Sequence, residues 1–363
     1  MTPHDFDHHF DFDAGGAGFD LNRPGALIAA LPAILGFTPE KSLIVVSVDR
    51  GQLGAVLRVD LGPDLRDGLE GLVSVTASAR PEAAIAIIVD PEGALCPMCN
   101  DEHRRLCTAL ADELDGYGIP LWAAHLVDRV GAGGRWHCVD GCGSRGRVDD
   151  PEASPVTVAA VLDGRRLYGR RADLESVIAV TDISRTQRVA EALAALQAGG
   201  CTPDHDDPAD RAYRAVQDGL DAITRIEKGE TLTDAEIAVV AHGLADLRVR
   251  DTMYALAVGE RAAAAETLWA TLARLLPAPW RVEALVQLAF SAYVRGDGPL
   301  TGVALEAALR VDPTHRMGGL LDAALQSGMR PEQIRELALT GYRLADELGV
   351  VLPPRQAPGR RAG

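Results

Sequence analysis

The chain has 363 residues, 47% of them hydrophobic, 24% charged and 4% aromatic, with a formal net charge of −16. That length exceeds a usual single domain, so two cores are expected, and the apolar content is that of a soluble globular protein. Nucleic-acid binding draws most of its affinity from Lys and Arg, so an acidic balance of this size argues against nucleic acid, and equally against anionic membrane, as a partner.

Residues 1–22 are expected to form a disordered acidic leader, and its His4, His8, His9, Asp5 and Asp7 fit a flexible tail better than a metal site. It has no basic stretch followed by an apolar one, and no apolar run reaches spanning length, which points to a cytoplasmic protein. Pro24 opens a helical pattern carried by Leu27, Ile28, Leu31, Ile34 and Leu35 and stopped by Gly36. "SLIVVSV" (42–48) and "GAVLRVDL" (54–61) flank "DRGQ" and predict a hairpin with Gly51 in its turn. A helix at about 64–79 leads to "AAIAIIVD" (83–90), a continuous apolar run of the kind found in a strand covered on both faces. A helix over 101–117, stacked on Leu106, Leu110 and Leu114, precedes a strand at 120–128 and a turn through "RVGAGGR" into "RWHCV". Helices at 155–163 and 171–197 complete the first domain, 23–200, expected to be an α/β sandwich built on a mixed sheet.

Gly, Pro and Asp mark 201–207 as a linker, and 208–350 reads as an all-α domain before a disordered tail over 351–363. Thr233 and Glu236 form a capping box. Further helices are expected at 247–258, 260–276, 281–295, 299–311, 317–327 and 331–348. Leu285, Leu288, Ala289, Ala292, Gly296, Leu305, Ala308 and Pro313 follow nearly the order of a tetratricopeptide helix pair. Tyr293 falls one place late, and one unit is short of the roughly three that a stacked array needs.

Four segments, "RPGALIAALPAILGFTPEKSLIVVSV", "VRD" at 249–251, "AAETLWATLARLLP" and "GDGPLTGVALEAALRVDP", together resemble the domain of unknown function 4192 family of high-GC Gram-positive bacteria. The resemblance covers about residues 22–340. It implies the architecture and brings no reaction, cofactor or catalytic residue with it.

Six cysteines in a chain read as cytoplasmic point to metal binding or burial rather than to disulfides. Cys96 and Cys99 in "CPMCN" and Cys138 and Cys142 in "CVDGCG" supply two pairs near the C-x2-4-C spacing of a structural zinc site, and a zinc-knuckle clamp on these four is the favoured reading. A knuckle places positive φ after its second cysteine, where Asn100 and Gly143 stand; the second pair is one residue longer than the tight form. A redox dithiol at Cys96 and Cys99 would need a preceding strand of the thioredoxin kind and would leave the second pair unexplained. Deaminase chemistry fails for want of H-x-E, and four unligated thiols remain an alternative. His103 and His137 are reserve ligands; Cys107 and Cys201 are bystanders.

No catalytic set assembles. Asp60, Asp90 and Asp128 end strands, where Asp commonly starts turns but where carboxylates also suit a divalent cation. "GAGG" (131–134) lies between strands and "GSRG" (143–146) lacks a strand–turn–helix context, so neither is a phosphate cradle or a nucleophile elbow. The Arg pairs at 104/105, 165/166 and 170/171 read as solvated, and the tryptophans as packing. The expected function is a zinc-stapled binding or scaffolding protein, meeting a protein partner along a helical ridge around Leu285, Leu288, Tyr293 and Leu305. The alternative is an enzyme or small-ligand sensor using the strand-end crevice near Asp90 and Asp128.

Overall fold

The structure is a computed structural model that describes residues 21–62, 65–162, 166–199, 207–327 and 329–355. Cys201, the leader histidines, most of the expected linker and the end of the expected tail lie outside these. The chain divides into two compact units, one ending at Arg170 and the other beginning at Arg171.

In the first unit, strands β1 (Ser42–Asp49), β2 (Gln52–Asp60), β3 (Ala83–Val89), β4 (Leu121–Val127), β5 (Arg135–Cys138) and β6 (Arg145–Arg147) form one sheet of order β2-β1-β3-β4-β5-β6. Only β3 and β4 are parallel, so the sheet is mixed as expected. Residues Leu43–Val48 of β1 and all of β3 are buried, whereas β2, at an edge, is half exposed. The periodicity explains this. Leu43, Val45, Ala84, Ala86 and Ile88 meet Leu69, Leu72 and Val73 of α2 (Leu65–Ser78) and Leu106, Leu110 and Leu114 of α3 (Pro97–Asp115) in one core. Ile44, Val46, Ile85 and Ile87, pointing the other way, are equally enclosed. The helix α1 (Pro24–Leu35), opened by Pro24 and ended by left-handed Gly36, packs on α4 (Pro155–Leu162).

One local expectation fails in a way that matters for chemistry. The "CPMCN" stretch is the first turn of α3, with Cys96 as N-cap, Pro97 at the first helical position, and the Asn100 amide bonded to the Cys96 carbonyl at 3.0 Å. Asn100 is therefore helical, and the zinc-knuckle turn is not formed there. Proline explains the difference, because its fixed φ and missing N–H suit a helix start as well as a knuckle.

The second unit is helical: α5 (Arg171–Glu175), α6 (Ile183–Gly199), α7 (Pro208–Glu227), α8 (Asp234–Gly243), α9 (Leu247–Met253), α10 (Ala262–Leu275), α11 (Arg281–Arg295), α12 (Gly298–Val311), α13 (Arg316–Gln326) and α14 (Pro331–Leu348). The helix expected over 171–197 is broken because Asp182 turns to accept the Arg185 amide at 2.9 Å and caps α6. α6 packs on α8, and Asp234 takes Arg185 and Arg188, each at 2.8 Å, so the division between units falls before this helix and not in the expected linker. Thr233 and Glu236 make the expected capping box. Residues 351–355, expected in the tail, pack within this unit: Glu260 donates to the Pro354 carbonyl and Arg355 stacks over Tyr342. Among the described residues no helix is long and apolar enough to cross a membrane.

Candidate functional site

The hairpin β5–β6 carries the second cysteine pair in its loop. Register sets His137 opposite Arg145, and the Cys138 amide bonds to the Ser144 carbonyl at 2.9 Å, closing a loop that Gly141 and Gly143 turn at φ 84°. Such angles favour glycine. Asp140 accepts the Cys142 amide at 2.8 Å, which swings its carboxylate inward beside the two sulfurs. Ligand atoms of Cys138, Asp140 and Cys142 all lie within 4.8 Å of one another. The residue that made this pair too long for a tight knuckle thus makes room for a third donor.

Electrostatics at this loop fit a cation. Burial, and then hydrogen bonds with Asp140 and Cys142, push the Cys138 thiol well above its ordinary value. Burial works to raise Asp140 too, but the Cys138 thiol and the amide and thiol of Cys142 outweigh it and hold the carboxyl below its usual range. A divalent ion between these groups would displace the thiol protons, as metal binding to cysteine requires. On β4, His125 pairs in register with Cys138 and stands edge-on to Trp136 at 5.2 Å, its Nδ1 buried without a hydrogen-bond partner. Burial lowers it to about 4, so it is neutral. Sequence periodicity could not single out this histidine, since "WAAHLV" reads as an ordinary strand.

Cys96 and Cys99 do not join that set, which is the only group of three or more metal-competent side chains this close among the described residues. The two loops are nevertheless tied by neighbours: His137 Nε2 and Asn100 Oδ1 lie 2.9 Å apart, and Arg104 Nε donates to the Val139 carbonyl at 3.2 Å. His103 is engaged elsewhere, 3.0 Å from Asp90, and Cys107 is buried in the core, its thiol pushed up to about 12. A Cβ on Gly93 would lie 2.6 Å from His103 Nε2, so only glycine lets the chain pass over the Asp90–His103 pair.

The strand-end aspartates stand at one end of the sheet, since Asp60 pairs with Ser42, Ser42 with Val89 and Val89 with Val127. Each has its own partner. Asp60 holds Arg58, Asp90 holds His103, and Asp128 accepts the Arg135 amide at 2.8 Å and its Nε at 3.2 Å. They form no shared cation site. Between α3 and the β5–β6 hairpin opens a cavity of about 940 Å3, lined by Asn100, Arg104, Asp128, Arg135, Trp136, Cys138 and Arg145 among others. The Arg145 side chain is exposed and has no hydrogen-bond or ion-pair partner among the described residues.

The helical ridge expected to meet a partner is core. Leu285, Leu288 and Leu305 are 0% exposed and Tyr293 is 3% exposed, its hydroxyl bonded to the Met329 carbonyl. Small residues let α11 and α12 close on each other around Gly296, which is left-handed, and Asp297, which caps α12. That closure removes the groove the spacing suggested.

Residues 24–332 match the family described as Domain of unknown function (DUF4192), so the chain belongs to that family. No curated protein and no solved structure matches it.

Proposed function

We propose that the N-terminal unit binds a small anionic ligand in the cavity beyond the carboxyl ends of β3 and β4, with a zinc ion on Cys138, Asp140 and Cys142 holding its rim. The observation that carries this reading is the lining. Arg104, Arg135, Arg145 and Arg147 face two carboxylates, Asp101 and Asp128, in a chain of net charge −16. A basic cavity in an acidic protein concentrates anions locally, and the planar guanidinium matches phosphate or carboxylate in two-point contact. The volume is in the range of small-molecule sites.

Two thiolates and a carboxylate suit zinc, and three protein ligands leave one tetrahedral position open. Bound zinc would fasten the hairpin loop and add positive charge to the cavity wall. Asn100 and Arg104, bonded to His137 and Val139, would hold the opposite wall in place.

Calorimetric titration of the full-length protein with inorganic pyrophosphate at low salt tests the reading. Saturable binding is expected, weakened about tenfold or more in Arg145→Ala, since one charge-assisted hydrogen bond contributes about 1.5–3 kcal/mol. No saturation in the millimolar range, or an unchanged affinity in the variant, would contradict it.

A further inference from the structure

We propose that Cys96 and Cys99 form a thiol–disulfide exchange site, Cys96 the attacking and Cys99 the resolving sulfur, acting on a disulfide of a protein or of a small molecule. Neither Cys96 nor Cys99 lines the anion cavity or belongs to the Cys138–Asp140–Cys142 set.

β3 runs through α3 into β4, and β3 and β4 are parallel, so the C-x-x-C opens the helix of a parallel crossover. In that context such a spacing supports redox chemistry. The strand expected over 83–90 is β3, which ends at Val89, and the chain reaches Cys96 through a single 3-10 turn at Gly93–Leu95, so a strand does lead into the pair. Cys96 is the N-cap, extended at φ −100° and ψ 118°, and the Asn100 amide is the one that closes on its carbonyl. The amides of Met98 and Cys99 precede the first helical bond and are left without a helical acceptor at the end that carries Cys96, where they favour negative charge.

Both thiols are partly exposed. Met98 between them is 72% exposed and gives an apolar surface beside the sulfurs. The Cys99 amide and thiol and the Met98 amide hold the Cys96 thiol below its ordinary value; Cys99, engaged by Cys96 and partly desolvated, lies above its own. Glu102, Asp90 and Lys41 are the charged groups acting on the pair.

The reaction balances without any further cofactor. The Cys96 thiolate attacks one sulfur of R–S–S–R′, that bond breaks, and R′S⁻ leaves and is protonated by solvent. Cys99 releases its proton, attacks the Cys96 sulfur of the mixed disulfide, and expels RS⁻, which is protonated in turn. Two electrons and two protons pass from the cysteines to the substrate, leaving a Cys96–Cys99 disulfide and two free thiols.

The test offers the full-length protein, with dithiothreitol as reductant, the disulfides of insulin in one arm and an aromatic small-molecule disulfide in the other. Turnover above the dithiothreitol rate is expected in at least one arm, and the faster arm assigns the source. Cys96→Ser should abolish it, and Cys99→Ser should accumulate a mixed disulfide at Cys96 visible by mass. Wild-type protein gives a measurement that no variant's folding can spoil: iodoacetamide at neutral pH should modify Cys96 severalfold faster than Cys99. No turnover in either arm overturns the proposal, as does equal alkylation of the two thiols or loss of bound zinc from Cys96→Ser.

Discussion

Two cysteine pairs of nearly equal spacing stand in one unit, one at the start of α3 and the other in the β5–β6 loop, and their surroundings differ. Cys96 and Cys99 open a helix, whose free amides favour a thiolate on Cys96. Cys138 and Cys142 close a hairpin around Asp140, whose carboxylate favours the thiol on Cys138. Spacing tells which sulfurs can meet. Whether amide hydrogens or a carboxylate face them decides what they do.

Removing one pair at a time separates their roles. Cys138→Ser with Cys142→Ser should abolish metal content measured by mass spectrometry, from about one zinc per chain, whereas Cys96→Ser with Cys99→Ser should retain it. Asp140→Asn should weaken the metal by at least the 10–100-fold that loss of an outer-shell partner typically costs, roughly, as read by chelator competition.

Asp90 tests the electrostatics beside the first pair. Burial works to raise its carboxyl, but the Gly93 amide, His103 and the Glu92 amide hold it below its ordinary value. A carboxyl depressed in the folded state contributes stability that is present above the ordinary value of 3.8 and is lost as pH falls through the folded one. Asp90→Asn should therefore flatten the acid limb of denaturant midpoint against pH, and cost about 1–3 kcal/mol at neutral pH by replacing the ionised acceptor of the Gly93 and Glu92 amides and of His103 with a neutral one. Asn100→Ala, which cuts the tie to His137, should cost only about 1 kcal/mol by the same measurement.

Most of this architecture was legible because it rests on periodicity. The buried run of β3, the hairpin of β1 and β2 and the helices from α9 to α14 fall close to where apolar spacing and caps put them. The chemistry was less legible because it depends on direction. "CPMCN" fits a knuckle and a helix start alike, and only the bond from Asn100 to Cys96 separates them. Asp140 was hidden as a turn former, and His125 as one residue of a strand. The ridge of Leu285, Leu288, Tyr293 and Leu305 carried a correct packing signal, but spacing cannot tell a face sealed by neighbouring helices from one open to a partner. The break before α6 was missed for the same reason, since Asp182 acts as a cap only once the chain turns there.

The claim that the pairs divide their chemistry is tested most directly by alkylating zinc-loaded, full-length protein at neutral pH and mapping the modified cysteines by mass before and after chelation. The account predicts that Cys96 reacts while the metal is bound, and that Cys138 and Cys142 react only after it is stripped. Four thiols protected together and released together would instead mean a single clamp built from both pairs, and would contradict it.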